Sequence, residues 1–364
     1  MRPVLILGGY GNFGKRIARA LVRDKVPVII AGRNREKAEQ LLAELDGAKT
    51  EISIFDVREE LREKLFELKP AVVVNTCGPF QEADYGTAKA CIDARVPYID
   101  LADARDFVVG ITALDAVAKE NNTVVISGAS SVPGLSSAVI EAYRTEFSKI
   151  RSLTYGISPG QKTERGRATT EAILSYVGKK LASFPGTSGP VYGWQDLYRQ
   201  DYPVIGRRWM ANCDIPDLDL LPASYEIDKI RFSAGLELIV QHFGLWLISW
   251  LIRAGIPLDL PKFAGPLLAV SNFLDIFGTG NSGMHMILEG IDLNGKPHTR
   301  RWFIIAQNSD GPNIPTIPAI VLARRLAKGE AMQSGATACI GLLSLDEYLA
   351  ELKHFEITTF EEAD

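Results

Sequence analysis

The stretch Val4-Leu5-Ile6-Leu7-Gly8-Gly9-Tyr10-Gly11-Asn12-Phe13-Gly14 decides how the chain folds. Four apolar residues run into a loop with glycine at positions 8, 9, 11 and 14, and a basic, apolar-periodic segment follows. Gly9, Gly11 and Gly14 satisfy G-x-G-x-x-G; Gly8, Gly11 and Gly14 satisfy the related G-x-x-G-x-x-G. A buried-type strand before such a loop and a helix after it form the turn that receives a dinucleotide pyrophosphate. The backbone must turn tightly there and come close to the phosphates, and the last glycine lets the helix pack on the strand. Backbone N–H groups at the helix start then hold the anion. Gly8, Gly9, Tyr10, Gly11, Asn12, Phe13 and Gly14 are therefore cofactor-binding candidates.

Outward from this loop, strand and helix patterns alternate through the first third of the chain. Strands are expected at Pro3–Leu7, Val26–Ala31, Glu51–Phe55, Ala71–Asn75, Tyr98–Leu101 and Thr123–Ser127. Helices are expected at Phe13–Arg23, Arg35–Leu45, Glu60–Leu68, Tyr85–Ala94 and Ile111–Asn121. Strands spaced by helices imply βαβ units and a parallel sheet, and the β-branched runs suit strands buried on both faces. The fold class is α/β: a doubly wound parallel Rossmann sheet with a second, α+β domain. Beyond Gly128 the rhythm breaks. A helix is expected over Ala138–Glu146, a strand over Ser152–Ile157 and a helix over Thr170–Ala182. A hairpin pairs Met284–Asp292 with Thr299–Gln307 around Asn294-Gly295. Pro315 and Pro318 introduce a helix over Ala319–Lys328 that Gly329 ends, followed by a strand over Ala338–Leu343 and a helix over Leu345–Leu352. The division expected is 1–130 for dinucleotide binding, 131–310 for substrate or dimerisation, and 311–364 as C-terminal elements returning to the first domain.

The end of the second strand selects the nucleotide. A carboxylate about 20 residues beyond the glycine motif holds the ribose 2′-OH of NAD. Here the chain reads Ala31-Gly32-Arg33-Asn34-Arg35, with no acid before Glu36. Arg33 and Arg35 suit a 2′-phosphate, so NADP is expected over NAD, with Asn34 between them. Asp56 and Val57 end the third strand, where a side chain and an amide reach an adenine. Ligands of open α/β sheets lie outside the carboxyl ends of the strands. Asn75-Thr76-Cys77-Gly78-Pro79-Phe80 ends the fourth strand, so Thr76, Cys77, Gly78, Pro79 and Phe80 are expected along the nicotinamide ribose. With no histidine or basic partner near it in sequence, Cys77 reads as a small filler rather than a nucleophile.

Composition sets further bounds. The 364 residues carry a net charge of −4, 46% hydrophobic and 23% charged residues. These are ordinary globular values, and the charge argues against nucleic-acid binding through phosphate neutralisation. The four cysteines, Cys77, Cys91, Cys213 and Cys339, show neither disulfide-framework nor zinc spacing. The four histidines are isolated, so no metal is expected. No leader pattern or membrane-length apolar run is evident, and a cytoplasmic setting is expected. Leu236–Ile256 is apolar nearly all round. It is left open between core, the interface of a homodimer, a tunnel for an apolar substrate and peripheral membrane contact.

Taken together these residues resemble the saccharopine dehydrogenase-like (saccharopine reductase) family. The resemblance rests on the glycine loop, Ala31-Gly32-Arg33-Asn34, Asn75–Phe80, Tyr98-Ile99-Asp100-Leu101 and Val132-Pro133-Gly134-Leu135, and covers about the first 140 residues. Gly311-Pro312-Asn313-Ile314-Pro315-Thr316-Ile317-Pro318 also looks like members of this family. The resemblance implies an NADP-binding Rossmann domain and hydride transfer to a small-molecule or acyl substrate: an imine, carbonyl or enoyl group. Saccharopine reductases place an acid in the loop that here reads Gly128-Ala-Ser-Ser-Val-Pro-Gly134, so their catalytic assignment does not carry over. Tyr85 and Asp103 are candidate proton donors, and Lys162, Arg165 and Arg167 form a basic loop suited to an anion or simply to solvent. The catalytic residue stays unassigned. Alternatives are a non-catalytic NADP-binding sensor or scaffold, and a lipid-linked trans-acting enoyl reductase.

Overall fold

The computed structural model describes residues 1–364. They form two compact units: Met1–Leu135 with Asn313–Leu343, and Ser136–Pro312 with Ser344–Asp364. The first unit begins with β1 (Val4–Leu7), α1 (Asn12–Arg23), β2 (Val28–Gly32), α2 (Arg35–Glu44), β3 (Thr50–Ile54), α3 (Val57–Leu68), β4 (Val72–Asn75), α4 (Gly86–Asp93), β5 (Tyr98–Asp100), α5 (Arg105–Gly110), α6 (Asp115–Glu120) and β6 (Val124–Ser127). The second unit holds α7 (Ser136–Tyr143), β7 (Phe147–Ser158), α8 (Arg167–Tyr176), β8 (Tyr198–Tyr202), β9 (Gly206–Asn212), α9 (Asp217–Tyr225), β10 (Lys229–Ala234), α10 (Ile239–Arg253), α11 (Ala264–Phe273), β11 (Ser282–Asp292) and β12 (Pro297–Ala306). The chain then returns to the first unit with α12 (Ile317–Ala327) and β13 (Gly335–Ala338), and ends in the second with α13 (Leu345–Leu352) and β14 (Ile357–Ala363).

The first unit is the doubly wound sheet the sequence leads one to expect. Its strand order is β13-β6-β5-β4-β1-β2-β3, and every pairing is parallel. Val4, Leu5, Ile6 and Leu7 have no exposed surface, as strands covered on both faces require. Helix α1 buries Gly14, Ile17, Ala18, Leu21 and Val22, one face of a 3.6-residue repeat. Helix α12 buries eight of its eleven residues, and its Arg324 pairs with Asp24 at the end of α1. The strand expected over Ala338–Leu343 lies earlier, at Gly335–Ala338, because the chain turns off the sheet at Gly341, whose φ is +64°.

The second unit is a mixed sheet in the order β14-β12-β11-β7-β10-β9-β8, with only β7 and β10 parallel. Beside its central strand β7 lies the β11–β12 hairpin, whose turn is closed by Asp292 Oδ1 accepting from the amides of Asn294 and Lys296. Edge strands β8 and β14 are largely polar or exposed, which leaves little strand signal in their sequence. Such edges carry charge that discourages pairing with other chains. Helix α8 stops at Tyr176, short of the expected Ala182, because Val177 leaves it to bridge Gly193.

Inside this second unit Asp217, at the start of α9, has no exposed surface. Its Oδ2 accepts from Ser136 Oγ and, at 2.9 Å, from the Tyr155 hydroxyl, while Oδ1 has no partner. Burial pushes its pKa up to about 7, against the downward pull of the two hydroxyls. The folded protein therefore holds a proton that the unfolded chain, with an ordinary Asp near 3.9, releases. Between about pH 4 and 7 stability falls as pH rises, by up to a few kcal/mol from this group alone. Denaturant titrations across that range should show the decline, and Asp217→Asn, which cannot ionise, should flatten it.

Candidate functional site

The first sheet changes winding direction between β1 and β4, and the carboxyl ends of its strands border the crevice in which such sheets bind ligands. The chain leaves β1 through a tight turn. The Gly11 amide donates to Gly8 O at 2.8 Å, the Gly9 amide to Ala31 O at 3.1 Å, and the Lys15 amide to Gly11 O at 3.0 Å. A Cβ on Gly14 would lie 2.4 Å from Gly8 O and 2.8 Å from Gly9 Cα. Only glycine lets α1 sit this close against its own loop. The helix has no side-chain cap and no acid in its first turn, so its amides and partial positive charge serve an anion outside it. Phe13 is half-buried, and the Asn12 side chain is engaged by Arg16.

The loop after β4 is tied to the end of β1. Thr76 donates to Leu7 O from its amide at 3.0 Å and from Oγ1 at 2.8 Å. Asn75 spans the other way: Oδ1 accepts from the Cys77 amide at 3.0 Å and Nδ2 donates to the Tyr98 hydroxyl at 3.0 Å. Cys77 is exposed as a residue, but its sulfur turns inward, and a Cβ on Gly8 would lie 3.1 Å from it. Desolvation pushes the thiol up to about 11, outweighing the opposite pull of Arg33, which suits a filler and not a nucleophile. Gly78 and Pro79, joined by a cis bond, continue this rim. Phe80 differs from its neighbours: it is 6% exposed and its ring packs 5.3 Å from that of Phe107, so its side chain serves the core.

At the end of β2 the structure supplies a connection that sequence reading missed. The Tyr10 ring lies directly on Gly32, where a Cβ would come within 2.5 Å of it. Its hydroxyl accepts from the Asn34 amide at 2.8 Å. Tyr10 thus joins the glycine loop to the segment carrying Arg33. The available signal was Gly32 itself, a glycine where a strand end needs none. Asn34 caps α2 by accepting from the Lys37 amide, and Arg35 opens that helix 3.5 Å from Glu39. The Arg33 side chain is 80% exposed, with its guanidinium 3.7 Å from Asp56. An exposed pair at that distance contributes little, so the guanidinium is available to an anion. Asp56 caps α3 through the Arg58 amide, and Val57 is the first residue of that helix.

Beyond β5 lie two acids. Asp100 is fully buried; its Oδ1 accepts from the amides of Ala102 and Gly128 and from Ser127 Oγ at 2.9–3.0 Å, and its Oδ2 has no partner. Burial raises its pKa to about 6 despite those donors. It joins the ends of β5 and β6. Asp103 accepts from Gln81 Nε2 at 3.2 Å, and burial raises its pKa as well. Tyr85 is otherwise occupied, since its hydroxyl donates to Phe107 O at 2.8 Å. In the second unit both arginines of the basic loop are paired, Arg165 with Asp275 at 2.6 Å and Arg167 with Glu171 at 2.7 Å, while Lys162 is exposed. His285 is held between the hydroxyls of Tyr202 and Tyr198.

Residues 4–143 match the family model described as the saccharopine dehydrogenase NADP binding domain. The apo saccharopine dehydrogenase (L-Glu forming) of Saccharomyces cerevisiae superposes with a TM-score of 0.68 at 13% identity, covering 100% of both chains. The serine dehydrogenase of Escherichia coli is similar over 27% of this chain and 60% of its own, at 22% identity and a TM-score of 0.22. The 3-oxoacyl-[acyl-carrier protein] reductase of Brucella melitensis is similar over 35% and 67%, at 18% identity and a TM-score of 0.29. No curated protein sequence matches significantly. Residues 4–143 thus match the NADP-binding domain of saccharopine dehydrogenase, and the whole chain shares the fold of the yeast enzyme.

The crevice fits that nucleotide. The loop is too close-packed at Gly14 for any side chain, the helix end above it is uncapped, and no carboxylate of β2 opposes a 2′-phosphate. Arg33→Ala should weaken NADPH binding by about 10–100-fold, the range of a charge-assisted hydrogen bond, and leave NADH nearly unchanged in parallel calorimetric titrations. Gly14→Ala should abolish binding of both.

Proposed function

We propose that this saccharopine dehydrogenase-like oxidoreductase transfers a hydride between NADPH and an imine, carbonyl or enoyl group of a small-molecule or acyl substrate. The observation that carries the reading is the exposed Arg33 at the acid-free end of β2, beside an uncapped glycine-loop helix. When bound, the nucleotide supplies the hydride. The remaining work falls to this chain. Gly8–Gly14 binds the pyrophosphate through backbone amides, and Arg33 takes the 2′-phosphate. The Thr76–Leu7 hydrogen bonds orient the rim formed by Cys77, Gly78 and Pro79.

Reduction of C=N, C=O or C=C also requires a proton. Asp103 supports that role best. It follows β5, on the side of the crevice bordered by the β4 loop, and Gln81 from that loop steadies its carboxylate. Its raised pKa keeps a proton on the carboxyl oxygen at higher pH than an ordinary Asp. Asp100 is instead a positioning residue, consumed in joining β5 to β6.

The reading is tested by following NADPH oxidation with cyclic imines, aldehydes, ketones and 2-enoyl thioesters. One class should be turned over. For that substrate, kcat should fall as pH rises through the elevated Asp103 pKa, because the donor then loses its proton. Asp103→Asn should lower kcat by about 10²–10⁴-fold, remove that limb of the profile and leave NADPH affinity intact. Binding of NADPH with no consumption on any class would favour the sensor or scaffold reading instead.

A further inference from the structure

Strand β9 accompanies β10 for only two residues, at Asn212–Ser233 and Ala211–Ala234. The first half of β10 therefore has no strand on that side, and the loop at 184–191 stands there instead. The Ile230 amide donates to Pro185 O at 3.1 Å, and the Leu181 amide to Val191 O at 2.9 Å, so the loop is tied down at both ends. Between it and strands β7, β10 and β11 lies a cavity of about 550 Å³, a size that takes a small organic molecule. Every residue that lines it belongs to the second unit.

Strand register sets the floor of this cavity. Ser152 of β7 pairs with Lys229 of β10 on one side and with Glu289 of β11 on the other, and Thr154 pairs with Arg231. Side chains at paired positions share a face, whereas Leu153 and Ile230, between them along the chain, point to the opposite face and are buried. Lys229 and Glu289 thus stand in one row two strand spacings apart, about 9–10 Å between backbones. The Glu289 carboxylate accepts from Ser152 Oγ at 2.6 Å and meets no cation, and Lys229 meets no carboxylate. Gly186 holds the Lys229 stem in place: its φ is +89°, and a Cβ there would collide with Lys229 Cγ and lie 3.1 Å from Lys229 Cα. Arg231 is fixed as well. Its guanidinium stacks on the Tyr198 ring at 4.5 Å and donates to Asp196 O. The Asp196 carboxylate is turned to Asn212, accepting from Nδ2 at 2.6 Å.

The floor therefore carries two cations on β10 and one carboxylate on β11, kept apart by Ser152 and Thr154. Glu289 opposes a dianion, and Lys229 with Arg231 opposes a dication. We propose that this cavity binds a small zwitterion with its charges at opposite ends, the carboxylate on Lys229 and Arg231 and the ammonium on Glu289. Charged groups that are already held in place lose little freedom when the ligand arrives. Because the two ends of the row lie two strands apart, the class that fits is an ω-amino acid, whose charges are separated by a chain, in preference to an α-amino acid. The proposal stands independently of the reaction assigned to the crevice.

The test is calorimetric titration of the full chain in low-salt buffer, with and without NADPH, using four six-carbon molecules: 6-aminohexanoate, its isomer 2-aminohexanoate, adipate and 1,6-diaminohexane. 6-Aminohexanoate should bind saturably whether or not the nucleotide is present, and more tightly than the other three. Lys229→Met, which keeps the stem beneath Gly186, should weaken that binding about tenfold or more. Glu289→Gln, which can still accept from Ser152, should weaken it similarly and let adipate bind at least as well as 6-aminohexanoate. Both replaced side chains are exposed, so both variants should melt close to the wild type. The wild type alone can overturn the proposal, either by showing no saturable binding of 6-aminohexanoate or by binding any of the other three as tightly. Binding that neither substitution weakens overturns it as well.

Discussion

The absence of a side chain at Gly14 is the constraint on which the first unit turns. The start of α1 rests on Gly8 O and Gly9 Cα at distances no Cβ tolerates. That contact aims the uncapped helix end at the place where the strands finish. From there the rest of the crevice is tied together by short polar links. Thr76 holds the β4 loop to β1, Asn75 holds that loop to β5 through Tyr98, and Asp100 holds β5 to β6. Each link uses a polar group that a strand interior would reject. A parallel sheet with hydrocarbon on both faces has only its ends available for such chemistry.

The two buried aspartates show how differently one residue type is used. Asp100 and Asp217 are both desolvated and both leave one carboxyl oxygen without a partner. Asp100 accepts two backbone amides and a hydroxyl, and its pKa rises to about 6. Asp217 accepts only two hydroxyls, and its pKa rises to about 7. Amides fixed in the backbone stabilise the charged form more than hydroxyls that can rotate to suit either form. The first acid serves the sheet ends, and the second joins α7, β7 and α9 within the other unit.

The second unit carries its information in a different form. Its β11–β12 hairpin follows from alternation and the Asn294-Gly295 turn. Its edges do not. β8 reads Tyr-Arg-Gln-Asp-Tyr and β14 reads Ile-Thr-Thr-Phe-Glu-Glu-Ala, sequences whose polarity belongs to solvent-facing edge strands and leaves little period-2 signal. The basic loop at 162–167 suits an anion or solvent equally by its sequence, and in the structure Asp275 and Glu171 satisfy its guanidiniums. Asp275 lies more than a hundred residues away, beyond the reach of any local pattern.

What the sequence determined alone was whatever depends on neighbours along the chain. The strand–glycine–helix order, the parallel sheet of the first unit, the acid-free strand end at Arg33 and the preference for a phosphorylated nucleotide all follow from spacing and residue type. Tertiary structure decided what depends on neighbours in space. It placed the Tyr10 ring on Gly32, turned Phe80 into the core and gave Asp103 to Gln81. It returned residues 313–343 to the first unit and sent 344–364 to the second. It also resolved which side of the apolar helix faces out. Periodicity gives a helix its stripes, but only the packing of α8 and α11 around α10 selects the side that turns inward, here the one carrying His242 and Ser249 together with Leu245, Trp246, Ile248 and Ile252.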